Sequence, residues 1–260
     1  MPHPDQPAAG RTRPHQAAHR SPARGWEWSR FIRRGWLLSF GLPFVLSYPI
    51  APTLPGALVP APILPAWTAE ASLESQVWRE LNLARARPWV YADYLEGWLS
   101  EFEGTDLRRP GRCYYILQEG RPAVEEAIRY LRGIGPREPL DFSGGMSQGA
   151  DDLVDDLGPR GGLSHVGLDG SEVGDRLNRY GIWLRKAGEV IQCGTTDPRE
   201  IVALLIVDDG APARPHRRIV FDADYQVMGA AIGKNSRYAH MCVITFAEMF
   251  LETTGDLPRN

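Results

Sequence analysis

The pattern of apolar and polar positions predicts that the folded body of this chain begins near Ser72. Apolar residues recur at helical spacing over 73–81, directly behind Ser72, a residue type that caps the first turn of a helix. A second helical piece is predicted from Pro88 to Trp98. Further helices are predicted over 122–132, from 144 to about 157, and over 171–180. The first half of the body is therefore predicted to be mostly helical.

Strand patterns come late in the chain. A short strand is predicted over 189–192. Residues 227–232 and 238–250 predict a β-hairpin around the polar turn Gly233–Ser236. Helices on both sides of a small antiparallel sheet predict the α+β class, with a three-layer α-β-α sandwich.

The order of these elements predicts one domain, residues 72–255, followed by a short tail, 256–260. Residues 99–121 predict a series of turns with one short strand. We find no internal repeat in the sequence that would divide the body further.

Charge is distributed unevenly between the N-terminus and the body. Residues 1–34 form a basic leader with seven arginines against Asp5 and Glu27, a balance of +5. The remaining residues therefore carry −8 of the total of −3. An acidic body argues against nucleic-acid binding, which needs clustered basic surface to displace counterions.

The segment 35–71 is apolar and rich in proline. It has no charged residue before Glu70, and seven prolines between positions 43 and 65 argue against a straight membrane helix through all of it. Residues 35–50 predict an export signal or an uncleaved anchor, followed by a Pro-rich spacer. Arg33-Arg34-Gly-Trp-Leu-Leu resembles a twin-arginine export signal. The body is thus predicted to be secreted or extracytoplasmic, with membrane contact only through this segment, and its oligomeric state is left open.

Three cysteines, Cys113, Cys193 and Cys242, are too few for a disulfide scaffold. After export, one Cys193–Cys242 bridge is permitted; the alternative is that these residues are buried thiols. A Cys–His hydrolase with Cys193 as nucleophile is disfavoured because no oxyanion loop is legible in the sequence. Ser164 is no better as a nucleophile, since it directly precedes His165 in the chain.

Four polar residues are the candidates for chemistry: His165, Glu189, Asp208 and His216. Two imidazoles and two carboxylates form a ligand set that suits Zn²⁺ or Mg²⁺, and they would serve equally well as a proton-sharing network. Their separations along the chain are too long for a local ligand motif, so only the fold could gather them. Without further information, a capping, ion-pairing or surface role for each is the alternative.

The sequence motifs around these residues resemble those of the CAP (SCP-like) superfamily of cysteine-rich secretory, antigen 5 and pathogenesis-related 1 proteins, especially its bacterial secreted branch. The resemblance covers roughly residues 72–250. The matching motifs are, in chain order, Asn82-Leu-Ala-Arg-Ala-Arg-Pro88-Trp-Val-Tyr91-Ala, His165-Val-Gly-Leu-Asp169-Gly-Ser171, Arg176 through Tyr180-Gly181, Ala187-Gly188-Glu189, Pro215-His216-Arg217, Val227-Met-Gly229-Ala-Ala-Ile-Gly233 and Met241-Cys242-Val-Ile-Thr-Phe-Ala247.

This resemblance implies that His165, Glu189 and His216 line one open cleft, and it places the fourth acid of the family's cleft at Asp208. The chain departs from the family at Val190, where Asn is usual, and at Pro215, where Gly is usual.

The resemblance implies no single activity, because members of the family share no reaction. It favours a non-catalytic exported binder of a divalent metal ion, of a small apolar or lipid-like ligand, or of both. One alternative is a metal-assisted hydrolase of extracytoplasmic peptide or wall polymer, with Glu189 as the base. Another is a structural module tethered by its N-terminal segment.

The boundary near Ser72 generates a first prediction. Residues 72–260 expressed alone should unfold in one cooperative transition, because the preceding segment lacks amphipathic periodicity and is interrupted by proline. Chemical denaturation followed by circular dichroism and by tryptophan fluorescence checks this, with the full chain as control. A full chain that folds beside a fragment that does not would show that the boundary is wrong.

Overall fold

The computed structural model describes residues 71–109 and 114–253. The predicted leader and spacer, the tail 256–260 and Cys113 lie outside the described residues. Helices span α1 Leu73–Ala86, α2 Pro88–Trp98, α3 Arg121–Gly133, α4 Gly144–Leu157, α5 Val173–Leu177, α6 Pro198–Val207 and α7 Pro215–Val220. Strands span β1 Phe102–Glu103, β2 Asp106–Arg108, β3 Tyr114–Ile116, β4 Asp141–Phe142, β5 Gly181–Cys193, β6 Val227–Asn235 and β7 Ala239–Glu252.

The central sheet has four strands in the order β4-β6-β7-β5. β7 pairs antiparallel with β6 on one side and with β5 on the other, while the two-residue β4 pairs parallel with β6. Because side chains alternate along a strand, the sheet has two apolar faces. Val190 and Ile244 face a core shared with α1 and α6, whereas Ile191 and Val243 face α4. The predicted α+β class and the three α-β-α layers are therefore confirmed.

Local sequence signals explain where the helices of these outer layers begin. Ser72 accepts a hydrogen bond from Ser75 N at 3.2 Å, and Ser143 accepts one from Met146 N at 3.1 Å. Asp197 likewise accepts hydrogen bonds from the first backbone amides of α6. Such side chains satisfy amides that have no partner within the helix. α6 is buried along its whole length from Glu200 to Val207, so it lies inside the core.

Several elements differ from the sequence-based prediction, and the pattern of apolar residues did not predict α6 and α7. The short strand predicted over 189–192 is the last part of the thirteen-residue β5, which has an irregularity between Leu184 and Ala187. The helix predicted over 171–180 is reduced to the five residues of α5, because the chain turns at 178–180 to enter β5. The turns of 99–121 contain a small antiparallel sheet, β1-β2-β3, instead of one strand. The parallel β4–β6 pair was also not predicted.

Within the described residues, no helix is both long enough and apolar enough to cross a membrane.

The close contact between α4 and β6 generates a second prediction. A Cβ at Gly229 would overlap the backbone of Met146 and Ser147, whereas a Cβ at Gly97 in α2 would have no heavy atom within 4 Å. Gly229→Ala should therefore lower the free energy of unfolding by about 1–3 kcal/mol or more. Gly97→Ala is the matched control and should raise it by about 0.4–1 kcal/mol. Urea denaturation measures both, and equal effects of the two changes would contradict the packing described for β6.

Candidate functional site

His165 lies in the loop of residues 161–172, hereafter the His165 loop, which connects α4 and the short turn after it to α5. Its Nδ1 lies 2.9 Å from Oε1 of Glu189, which is on β5. The imidazole is 56% exposed, while the Glu189 side chain is only 2% exposed. The carboxylate thus orients the ring from inside the protein and leaves the rest of the ring directed towards solvent.

Arg176 on α5 completes this arrangement from the buried side. Its Nη2 donates to the other oxygen of Glu189 at 2.5 Å, and its Nη1 donates to the carbonyl oxygens of Ser171 at 2.8 Å and His165 at 3.3 Å. Arg176 is fully buried, so it neutralises the charge of Glu189 without contact with water. Both carboxylate oxygens of Glu189 are therefore engaged in the protein's own hydrogen bonds.

Asp208 and His216 form a second pair of the same kind. Asp208 ends α6 in the left-handed conformation, with φ of 51°, and its side chain is 3% exposed. Its Oδ1 lies 2.8 Å from His216 Nδ1, and its Oδ2 accepts the His216 backbone amide at 2.8 Å. His216 follows Pro215 in the first turn of α7 and is 30% exposed. The Asp208 carboxylate thus joins the end of α6 to the start of α7.

The segment 208–214 between α6 and α7, hereafter the His216 loop, is fixed by reciprocal contacts with the end of β3. Asp209 accepts the backbone amides of Gln118 and Glu119, at 2.5 and 2.9 Å. In return, Glu119 accepts the Gly210 amide and two donors of Arg214. The hydrogen bond from Arg214 lowers the pKa of Glu119, so the carboxylate that makes these contacts stays ionised. These contacts consequently hold His216 beside β3.

A cleft of about 390 Å³ opens beside His216. Its lining comprises Tyr114, Tyr115, Ile116, Leu117, Gln192, Leu204, Asp208, Asp209, Gly210, Ala211 and His216. His165 and Glu189 are not among the residues that line it. The sheet explains the separation: Glu189 is paired with Thr245 and faces α4, whereas Gln192 is paired with Cys242 and faces the opposite layer. The two imidazole pairs approach β5 from different layers of the sandwich.

The four predicted ligands form two carboxylate–imidazole pairs in this structure, Glu189 with His165 and Asp208 with His216. In the part of the chain that the structure describes, no three or more His, Cys, Asp and Glu side chains are placed to hold one metal ion. The physical reason is that Glu189 and Asp208 each engage the Nδ1 of a histidine. A carboxylate in that position fixes the ring of a metal-binding histidine from the second coordination sphere, and leaves Nε2 as the donor.

The comparisons with known proteins give two similar solved structures. No protein-family model and no curated protein matches the chain. An outer surface protein from Borrelia burgdorferi is 16% identical with a TM-score of 0.37, over 45% of this chain and 80% of that chain. An extracellular protein containing a SCP domain from Bacillus anthracis is 17% identical with a TM-score of 0.35, over 50% of this chain and 39% of that chain.

Cys193 and Cys242 are free thiols. Cys193 is paired with Met241 and Cys242 with Gln192, so the two cysteines lie on opposite faces of the sheet. The permitted bridge is therefore absent, and the alternative of separate thiols is observed. Burial raises the pKa of Cys193 to about 11, so that residue is a poor nucleophile at neutral pH.

Sequence reasoning missed several residues of the site. Arg176 was quoted within a motif but was given no role, and the cleft wall formed by Tyr114, Ile116 and Gln192 was not predicted. Arg176 stands between Asp175 and Leu177, and nothing in that local sequence indicates that the arginine is fully buried. Tyr114 and Ile116 belong to the β1-β2-β3 sheet, whose strands of two and three residues are too short for a periodic signal, whereas Gln192 lies on β5.

Proposed function

We propose that this chain is an exported CAP-like domain that acts by binding, with His165 and His216 as the polar centre of its ligand site. One observation carries the proposal: each imidazole is held at Nδ1 by a buried carboxylate, and among the described residues no hydrogen bond engages Nε2. Two unrelated segments of the chain repeat this arrangement on either side of β5. Such pre-orientation is of use where the ring must meet a ligand without first losing rotational freedom.

A divalent metal ion, with zinc as the first choice, is one ligand that this arrangement fits. Because β5 is an edge strand of the central sheet, His165 and His216 on its two sides would both supply Nε2 donors at that edge, and Glu189 and Asp208 would fix the orientation of the rings. The bound ion would supply a positive charge to which an anionic group of a second ligand is attracted. Magnesium fits less well, because it prefers oxygen donors.

An amphiphilic, lipid-like molecule is the second ligand that the site fits. Exposed apolar side chains flank both histidines: Leu163, Val166 and Leu168 in the His165 loop, and Tyr114 and Ile116 beside His216, each between 44% and 71% exposed. Apolar side chains grouped beside polar groups are a common feature of ligand-binding surfaces. The polar end of an amphiphile would meet the imidazoles, and its apolar part would cover these side chains.

Binding is favoured over hydrolysis by the state of the acids. In the metal-assisted hydrolase alternative, Glu189 must accept a proton from water, yet both of its oxygens already accept hydrogen bonds from Arg176 and His165. The exposed part of the pair is the imidazole, and the carboxylate lies behind it. The geometry therefore supports a ligand site in which the acids serve the histidines.

Export of the domain is proposed from the N-terminal sequence. The basic leader, the apolar residues 35–50 and the Pro-rich spacer together support a secreted or membrane-tethered location. The two similar structures belong to proteins described as extracellular and as an outer surface protein, which agrees with this location.

Zinc titration of three histidine variants tests the metal part of the proposal. His165→Ala and His216→Ala should each weaken zinc binding about tenfold or more, because each change removes one donor. His240→Ala is the matched control, since His240 lies on β7 opposite Lys234 and takes no part in the described hydrogen bonds of either imidazole pair. Competition with a chromogenic chelator measures the affinities in the purified full chain. Equal zinc affinity in all three variants, or no zinc uptake by the wild type, would contradict a metal-binding role.

Binding of a fluorescent long-chain fatty acid tests the amphiphile part separately. Ile116→Ser and Leu168→Ser should each weaken it several-fold, since each change removes roughly 1–2 kcal/mol of apolar contact. Leu251→Ser is the matched control, because Leu251 is comparably exposed but lies at the far end of β7 from the cleft. Loss of binding in the control to the same extent would show nonspecific adsorption, and would refute the assigned surface.

A further inference from the structure

We propose that Arg176 is the positioning residue of this site. Its guanidinium binds two carbonyl oxygens of the His165 loop and the carboxylate of Glu189, and it thereby fixes the loop to β5. The inference deepens the proposed function and rests on it, because it gives the buried arginine a part in ligand binding through His165. Arg176 itself is fully buried and would not touch the ligand.

The contacts of Arg176 span three separate parts of the chain. The guanidinium lies on α5, its Nη1 reaches the carbonyl oxygens of His165 and Ser171 in the loop, and its Nη2 reaches Glu189 on β5. The carboxylate that receives Nη2 is the same one that orients the His165 ring. One side chain therefore sets both the backbone position of His165 and the position of the acid that holds its imidazole.

The His165 loop is built as a compact unit that such a link can hold. Gly167 N donates to Ser171 O at 2.9 Å, and Ser171 N donates to Asp169 Oδ1 at 2.9 Å. Gly170 has a φ of 85°, which a residue with a Cβ rarely adopts, so the turn depends on glycine there. Leu168 N also donates to Asp156 on α4. The loop is thus attached to α4 through Asp156 and to β5 through Glu189 and Arg176.

The chemistry of the link needs a guanidinium. Its donors form a planar fork, so Nη1 and Nη2 can address a carbonyl and a carboxylate in different directions at once. A lysine ammonium at the same position would keep the charge opposite Glu189 but is a compact point charge on a flexible stem. Without any cation, Glu189 would remain as a buried carboxylate held only by His165, which is costly in a dry interior.

The experiment compares Arg176→Met and Arg176→Lys with the wild-type full chain in two measurements. Hydrogen exchange of the peptides that cover residues 163–172 is measured without added metal, and zinc affinity is measured by chelator competition. Arg179→Met is the matched control. Arg179 is also bonded to the loop, through Asp169, but it is partly exposed, contacts neither Glu189 nor His165 in the described hydrogen bonds, and forms surface ion pairs of small value.

We expect Arg176→Met to accelerate exchange in this loop and to weaken zinc binding about 10- to 100-fold, the range observed when an orienting partner of a metal ligand is lost. Arg176→Lys should restore part of both, since it keeps the charge but not the fork. Arg179→Met should leave zinc affinity within about twofold of the wild type, because its ion pairs are exposed. Partial restoration of zinc affinity in Arg176→Lys is the distinguishing result, because a role of Arg176 in global stability alone would not produce it.

Several outcomes decide against the inference. Wild-type exchange in the loop of Arg176→Met or of Arg176→Lys would show that the arginine does not hold it. If Arg176→Met does not fold, the lysine variant alone decides, and wild-type exchange with wild-type zinc affinity would overturn the proposal. A wild type that takes up no zinc would refute the metal part of the proposed function, while the exchange measurement would still decide the positioning role.

Discussion

The long pairing of β7 with its two neighbours is the interaction on which the rest of the structure depends. β7 is antiparallel to β6 over its first nine residues and to β5 over nearly its whole length. Buried residues of β7 therefore alternate between two helical layers, and both layers form cores on the same strand. The candidate site uses this property as well, since Glu189 and Gln192 on β5 are three positions apart, an odd number, and therefore face different layers.

Buried arginines join the loops that the sheet leaves apart. Arg85, Arg176 and Arg217 are among the largest fully buried side chains, and each donates to at least two backbone carbonyl oxygens. Arg85, for example, reaches the carbonyls of Glu138, Val220, Asp222 and Tyr225. Burial lowers the pKa of Arg85 to about 10, so it stays charged at neutral pH. Carbonyls without a helical or strand partner need such donors when they are inside the protein. The irregular segments around the sheet are thus held from within.

Much of the fold was predictable because its helices and the hairpin have strong local signals. Ser72 and Ser143 cap helices where the sequence indicated, and β6 and β7 form the predicted hairpin. Two kinds of feature were not predictable. The length of β5 depends on pairing with β7, far away in the chain, and the short strands of the β1-β2-β3 sheet carry no period. The histidines and acids of the site were found from motifs, but their roles were not, because which atom of Glu189 or Asp208 meets which ring nitrogen is decided by tertiary contacts alone.

In each pair the carboxylate is buried and the imidazole is exposed, and this arrangement follows from the cost of burying charge. An ionised carboxylate in the interior must be compensated, and Glu189 is compensated by Arg176, whereas Asp208 receives backbone amides at the start of α7. An imidazole is more easily placed at the surface, where it remains accessible to solvent. Each pair thus has an inner half that contributes order and an outer half that makes contact. If the acid were exposed and the imidazole buried, the two would form a surface ion pair in which the side chains have little fixed orientation. The buried position of Glu189 and Asp208 is therefore what gives the two histidines a fixed direction.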